Sequence, residues 1–145
     1  QIEQEEQYNL LVLSNQRSPT DLAGIHFFAP LRGLVTLPYN SSENHFGTDI
    51  VAAPNEVVKA TLDGTVIMDA WTVETGYVIH IQHENNLISV YKHNSELLKK
   101  SGNIVKAGDA IAIIGNSGEL TTGPHLHFEL WHNGTAIDPQ SYIVF

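Results

Sequence analysis

Cysteine is absent from the 145 residues of this chain. Its absence excludes disulfide bonds and thiolate metal sites, so any metal ion must be held by His, Asp or Glu side chains. Long hydrophobic runs are also missing, and without about 18 consecutive apolar residues no segment of the chain is expected to span a membrane. Because the chain begins at Gln1 rather than Met, we interpret it as a processed or trimmed product whose targeting segment lies outside it.

Basic residues are scarce. Seven Lys and Arg residues stand against 16 Asp and Glu residues, which gives a formal net charge of -9. Nucleic acid binding and docking on an anionic membrane surface both depend on clustered Lys and Arg, so neither is expected. The acidic residues are dispersed instead of forming a tail, which is typical of a solvated surface.

Short runs of Val, Ile, Thr, Tyr and Phe alternate with Gly, Asn, Asp and Pro, and this pattern favours a β-rich domain. The spacing predicts a mostly β fold, an antiparallel two-sheet β-sandwich or small barrel. The predicted strands cover residues 33–37, 48–52, 56–62, 65–69, 77–82, 87–91, 110–114 and 125–131. We expect a short N-terminal helical or extended arm over residues 1–24 and one folded domain over residues 25–145.

Turn-forming residues predict how some of these strands are connected. Asp63-Gly64 is a two-residue hairpin signal between the third and fourth predicted strands. The residues from His83 to Asn86 predict a second hairpin, and Asn133-Gly134 closes the last strand. Residues 95–100 are expected to form one or two helical turns that end at Gly102.

Three segments carry histidines in patterns suited to chemistry. His45 and Asp49 are four residues apart and point to the same face if the chain there is extended. His125 and His127, two residues apart on a predicted strand, have Cα atoms roughly 6.5–7 Å apart, which suits one metal ligand and one neighbour. His93 follows a strand-like run. Taken separately, each segment has a plainer interpretation, as turn or surface residues at the end or on the face of a strand.

Taken in order, these segments resemble the lysostaphin-type (LytM-like) zinc endopeptidases of bacterial cell walls. The resemblance covers roughly residues 33–142. It rests on His45-Phe46-Gly47-Thr48-Asp49-Ile50, Asp63-Gly64-Thr65-Val66, Tyr91-Lys92-His93, Val105-Lys106-Ala107-Gly108-Asp109 and Gly123-Pro124-His125-Leu126-His127-Phe128-Glu129.

The resemblance implies a catalytic Zn²⁺ held by His45, Asp49 and His127, with His93 and His125 beside the metal. In the family that pair orients and activates the water and stabilises the oxyanion. The expected fold is the antiparallel sandwich, with a groove whose floor bears the metal. The expected substrates are peptidoglycan peptides, in stems or cross-links.

Two loops depart from the family pattern. The segment from Tyr39 to Asn44 is short and lacks Arg, and the segment between Gly118 and Gly123 has one more residue than is common. Both are expected to border the groove and to affect substrate preference.

The acidic, Gln-rich arm resembles that of membrane-tethered envelope relatives, which implies a cell-envelope location, periplasmic or extracellular, with any tether outside this chain. We expect a monomer.

Two other functions fit parts of the pattern. Some relatives have lost the metal ligands and activate cell-wall amidases instead, although this chain keeps all five residues. The phosphocarrier domains of sugar phosphotransferase systems have a similar His-Phe-Gly-x-Asp string, but there it falls late in the chain.

The remaining histidines are given structural interpretations: His26 packs beside phenylalanines, His80 is exposed, His83 has a structural role at a hairpin turn, and His132 lies on a turn surface.

Overall fold

Apolar residues at alternate positions build an antiparallel sheet in this computed structural model, which describes residues 22–115 and 123–145. The described strands are β1 (Leu34–Leu37), β2 (Thr48–Val51), β3 (Val57–Lys59), β4 (Gly64–Thr72), β5 (Gly76–Gln82), β6 (Leu87–Leu97), β7 (Ile104–Val105), β8 (Ala110–Ile114), β9 (His125–His132) and β10 (Thr135–Ile137). Short 3-10 helices cover Ser41–Glu43 and Pro139–Ser141. No helix in the described ranges is long and apolar enough to cross a membrane.

The main path of the sheet runs β1-β2-β9-β6-β5-β4-β7, and every pairing is antiparallel. β10 pairs with β9, while β8 pairs with both β3 and the far end of β6. The predicted mostly β, antiparallel fold is confirmed. Because hydrogen bonds connect all ten described strands, the division into two packed sheets stays a prediction.

Two local predictions were wrong. Asp63-Gly64 does not join a hairpin, since β3 pairs with β8 whereas β4 pairs with β5 and β7. Gly64 is needed there for another reason: a Cβ at this position would come within 2.8 Å of His83 Nδ1. Residues 95–97, predicted to be helical, continue β6 and pair with β8, whose buried side chains determine their conformation.

The hydrophobic core lies on one face of the sheet. Its largest fully buried side chains include Tyr91, Phe128, Ile50, Ile79 and Ile81. Leu22 is also buried in this core, although it belongs to the predicted arm. Residues 1–21 lie outside the described part of the chain, so the boundary between arm and domain stays a prediction.

A buried chain of hydrogen bonds connects His83, Ser89, Tyr91 and Thr61. The Nδ1–H of His83 donates to the carbonyl of Asp63 at 2.7 Å, which leaves Nε2 to accept from Ser89 Oγ at 2.7 Å. Ser89 Oγ accepts from the Tyr91 hydroxyl at 2.7 Å, and the Tyr91 oxygen accepts from the backbone N–H of Thr61 at 3.1 Å. Each group thus has a donor and an acceptor partner, and the chain fixes one neutral tautomer of His83.

Candidate metal and catalytic site

All five residues singled out in the sequence converge on one face of the sheet. Asp49 lies on β2, His93 on β6, His125 and His127 on β9, and His45 in the loop that leads into β2. Antiparallel pairing places Asp49 directly opposite His127. On the other side of β9, Lys92 stands opposite His127, which brings its neighbour His93 close to the same point.

His45, Asp49 and His127 form a group compact enough to hold a metal ion. Their ligating atoms all lie within 4.8 Å of one another, and no other such group occurs in ranges 22–115 and 123–145. His45 Nε2 is 3.4 Å from Asp49 Oδ1. Ligand atoms bound tetrahedrally to zinc at about 2.0–2.1 Å lie roughly 3.3 Å apart, so this separation and the two-imidazole, one-carboxylate donor set fit zinc.

The ring of His45 is oriented by the backbone. Its Nδ1–H donates to the carbonyl of Pro38 at 2.8 Å, so Nε2 is the nitrogen that faces Asp49. Asn40 and His45 form a bridge that closes the Ser41–Glu43 turn between them. The short loop before His45 therefore has a structural role in addition to bordering the site.

Glu129 holds the second histidine of the group. His127 Nε2 lies 2.8 Å from Glu129 Oε2, and His127 Nδ1 lies 2.7 Å from Asp49 Oδ1. Glu129 in turn accepts from Trp131 Nε1 at 2.9 Å and pairs with Lys92 Nζ at 3.1 Å. Nδ1 of His127 is thereby directed at the centre of the candidate group, and carboxylates orient metal-bound histidines from behind in this way.

Sequence reasoning assigned no role to Glu129. A signal was present: Glu129 follows His127 by two residues on a strand, so both side chains share a face. The missing information was the pairing of β6 with β9, which brings Lys92 to the same carboxylate.

The electrostatics of this group favour a cation. Burial alone would lower the pKa of His127, but hydrogen bonds to Asp49 and Glu129 outweigh it and raise the pKa. Burial opposes ionisation of both acids, yet the hydrogen bond from His127 lowers the pKa of Asp49, and with Trp131 and Lys92 it lowers that of Glu129 to about 2. Two carboxylates therefore stay ionised around one imidazole, an arrangement that favours positive charge between them.

His93 and His125 form a second pair beside this group. Their ring centroids are 4.9 Å apart, and the His93 ring is 6.1 Å from that of His127. Burial, assisted by the neighbouring imidazoles of His125 and His127, lowers the pKa of His93 to about 4. The ring of His93 is therefore neutral at neutral pH.

An irregularity in β6 gives His93 its position. Its φ of +71° lies in the left-handed region, which is uncommon for residues other than glycine. The strand changes its partner here. Up to Lys92 it pairs with β9, and from Asn94 onward it pairs with β8. The backbone N–H of His93 donates instead to the carbonyl of Thr75 at 2.7 Å. Such bulges often direct a side chain into a functional site.

Gly47 permits close packing beneath the segment that carries His45 and Asp49. A Cβ at this position would lie 2.7 Å from His127 Nε2 and 2.8 Å from the Cγ of Glu129. The groups that approach the Gly47 backbone are therefore the side chains of His127 and Glu129 and the carbonyl of Phe128, which would lie 2.6 Å from that Cβ. A larger residue here would displace the histidine and the carboxylate that orients it.

The other histidines partly depart from the sequence analysis. His83 is buried, and its hydrogen bonds agree with a structural role. His26, expected to pack beside phenylalanines, is exposed, whereas His80, expected to be exposed, is half-buried on the same sheet face as His127. His132 is half-buried beside the Asn133-Gly134 turn. The lengthened segment before Gly123 lies outside the described residues.

Comparison with known proteins identifies related domains. The family model of peptidase family M23 matches residues 43–139. The chain is 37% identical over 97 residues to the peptidoglycan DD-endopeptidase ShyC of Vibrio cholerae, covering 67% of this chain and 22% of that protein. It is 34% identical over 117 residues to the murein hydrolase activator NlpD of Escherichia coli, covering 79% of this chain and 30% of that protein.

The fold is also similar to solved structures. A zinc-containing peptidase from Vibrio cholerae superposes with a TM-score of 0.71 at 31% identity, over 79% of this chain and 39% of that chain. The chain spans only 22% of the length of ShyC and 30% of the length of NlpD. The matched range contains all five site residues, from His45 to His127. The chain therefore belongs to peptidase family M23.

Proposed function

We propose that this domain is a zinc-dependent endopeptidase that hydrolyses peptide bonds in peptidoglycan stem or cross-link peptides. The observation that carries the proposal is the convergence of His45, Asp49 and His127 on one point, with the His93–His125 pair beside it. The similarity to a peptidoglycan endopeptidase supports the substrate class.

His45, Asp49 and His127 would hold the zinc. Two neutral nitrogens and one carboxylate leave room for water in the coordination sphere, as in other catalytic zinc sites. When bound, zinc supplies acidified water and polarises the peptide carbonyl. Glu129 keeps the His127 ring in the orientation that this binding needs.

His93 and His125 would handle the proton and the developing negative charge. A neutral imidazole at this place can accept a proton from the attacking water and return it to the leaving amine. An N–H of the second imidazole can donate to the oxyanion of the tetrahedral intermediate. The 4.9 Å separation of the two rings supports this proposal, because two groups that close can act on one carbonyl.

Digestion of purified peptidoglycan tests the proposal. We expect released peptides with the zinc-loaded protein, no release after treatment with a chelator, and recovery when zinc is added back. Mass spectrometry of the products identifies the bond. The proposal is wrong if the zinc-loaded protein releases nothing, or if release is insensitive to the chelator.

A non-catalytic envelope module that regulates cell-wall amidases is the second candidate. The similarity to a murein hydrolase activator favours it. Metal analysis and an amidase assay separate the two functions. A protein that contains no zinc and stimulates a purified amidase would be a regulator, whereas stoichiometric zinc with peptide release supports the endopeptidase.

The substrate class also suggests a location. We infer that the domain acts in the cell envelope, periplasmic or extracellular, since peptidoglycan lies there. A membrane tether, if present, lies outside this chain, and we expect the domain to act as a monomer. Fractionation of cells and sedimentation of the purified protein test these inferences.

A further inference from the structure

A second feature lies on the sheet face that bears the metal group. It is a cleft of about 260 Å³, with an apolar floor from Ile88, Val90 and Trp131 and a rim that includes His80 and Asn86. None of the five site residues lines this cleft or a larger cavity of about 720 Å³ elsewhere. The cleft is adjacent to the site, because Glu129 in its lining lies 2.8 Å from His127 and Lys92 in its lining stands opposite His127. It is therefore placed to contact a substrate bound at the proposed metal.

Strand register makes the cleft continuous with the site. Opposite His127 stands Lys92, and the next two pairs on the same face are Glu129 with Val90 and Trp131 with Ile88. Each step of two residues along a strand advances about 6.5–7 Å. The cleft thus lies roughly one to two steps from His127, a distance that an extended peptide covers in about two to four residues.

The lining suits an uncharged apolar group. Val90 is 3% exposed, and the indole of Trp131 is fixed by its hydrogen bond to Glu129 Oε1. The charges in the lining are already satisfied, because Lys92 pairs with Glu129 and Glu129 also contacts His127. A charged substrate side chain would lose hydration in this cleft without gaining a free counterion.

We propose that this cleft is a specificity subsite that accepts a small apolar side chain of the substrate peptide, about two to four residues from the bond that is cleaved. The proposal rests on the proposed endopeptidase function. It places selectivity on the face of β6 and β9 beyond His127, in addition to the two loops singled out in the sequence.

Trp131 provides a direct measurement of binding. The chain has two tryptophans, so Trp71→Phe leaves Trp131 as the only one, and His125→Ala prevents turnover. We expect saturable quenching or a blue shift of the fluorescence with tetraalanine. Tetraglycine and tetraglutamate should bind at least tenfold more weakly, because they lack an apolar side chain.

Filling the cleft provides the second measurement. Ile88→Phe should weaken tetraalanine binding about tenfold, whereas Ile104→Phe, the same change at a position that is 76% exposed and outside the cleft, should not. Zinc content and melting temperature should be unchanged in both variants. If Ile88→Phe does not fold, Ile88→Ala replaces it, and its enlarged cleft should shift preference from tetraalanine toward tetraleucine.

Several outcomes would overturn the subsite. These are equal binding of tetraalanine and tetraglycine, a preference for tetraglutamate, no binding of any of the peptides, or unchanged binding in the cleft variants. Digestion of peptidoglycan distinguishes a failure of the subsite proposal from a failure of the proposed function. Selective binding without cleavage removes the endopeptidase proposal alone, whereas cleavage with unaltered KM and products in Ile88→Phe removes the subsite alone.

Discussion

At the scale of single residues, His127 depends on its neighbours for its orientation. Asp49 and Glu129 contact opposite nitrogens of the same ring, at 2.7 and 2.8 Å. An imidazole with both nitrogens engaged cannot rotate about χ2 without losing two charge-assisted hydrogen bonds. The ring is therefore preorganised, and the residue that preorganises it from behind is Glu129.

Glu129→Gln should weaken zinc binding about 10–100-fold, the range typical when such an outer partner is lost. The amide keeps the shape of the side chain but has only one acceptor oxygen for His127, Trp131 and Lys92. Competition with a chelating dye measures the zinc Kd. Glu56→Gln, at an exposed position, serves as the control. An unchanged Kd in Glu129→Gln would show that Glu129 does not orient the ligand.

Substitutions of the proposed ligands and substitutions of their neighbours should differ in their effect on zinc binding. His127→Ala and Asp49→Ala should lose zinc and peptide release together, because each removes a donor atom. His93→Ala and His125→Ala should retain zinc but lose most activity, because only proton handling is removed. Metal analysis and peptidoglycan digestion of the same preparations measure both. Full activity in either of the latter variants would contradict the assigned roles.

At the scale of the elements, β6 positions His93, one of the proposed catalytic pair, through its irregularity. The strand bonds to β9 as far as Lys92 and to β8 from Asn94, with His93 between the two pairings. Gly115, at the end of β8, packs against the carbonyl of His93, so closely that a Cβ would overlap this oxygen. The conformation of His93 therefore depends on a glycine that is distant in sequence.

Gly115→Ala should destabilise the domain by about 1–3 kcal/mol, the usual cost of overpacking a close contact. It should also reduce peptide release, since relief of the overlap moves the His93 backbone. Urea unfolding measures the first effect and digestion the second. Gly24→Ala is the matched control, because a Cβ there meets nothing within 4 Å. Equal stability of the two variants would contradict the packing argument.

Sequence patterns predicted the elements that are determined locally. The hairpin of β5 and β6, the strand β8 and the turn at Asn133-Gly134 follow from alternation and turn residues, and all are confirmed. Residues 95–97 follow a helical pattern but extend β6, because pairing with a buried strand outweighs a weak local preference. The positions of the five site residues came from motif order, whereas Glu129 and the apolar cleft required the register of β6 against β9.

At the scale of the whole molecule, the buried hydrogen-bond chain connects the loop before β4 with the turn after β5 and with β6. Burial, only partly offset by the hydrogen bond to the carbonyl of Asp63, lowers the pKa of His83 below its usual value of about 6.5. Protonation would turn Nε2 from an acceptor into a donor and break the bond from Ser89. The hydrogen-bond chain is thus complete only while the His83 ring is neutral.

His83 should therefore make the domain less stable in acid. Because its pKa is lowered in the folded state, the unfolded state binds more protons as the pH falls below about 6.5, and its contribution to stability is lost from there down to the folded pKa. A ¹⁵N NMR titration should show a neutral Nδ1–H tautomer of His83 at pH 6.5 and a pKa below that value. A pKa at or above 6.5, or the Nε2–H tautomer, would contradict the buried chain.

The two faces of β9 have different functions. Leu126, Phe128 and Leu130 enter the core, while His125, His127 and Glu129 line the candidate site. Point substitutions on the second face can therefore remove chemistry while the first face still holds the fold together. The proposed activity can thus be lost by few substitutions that leave the scaffold intact. A family whose named members include both a peptidoglycan endopeptidase and a murein hydrolase activator is the expected result.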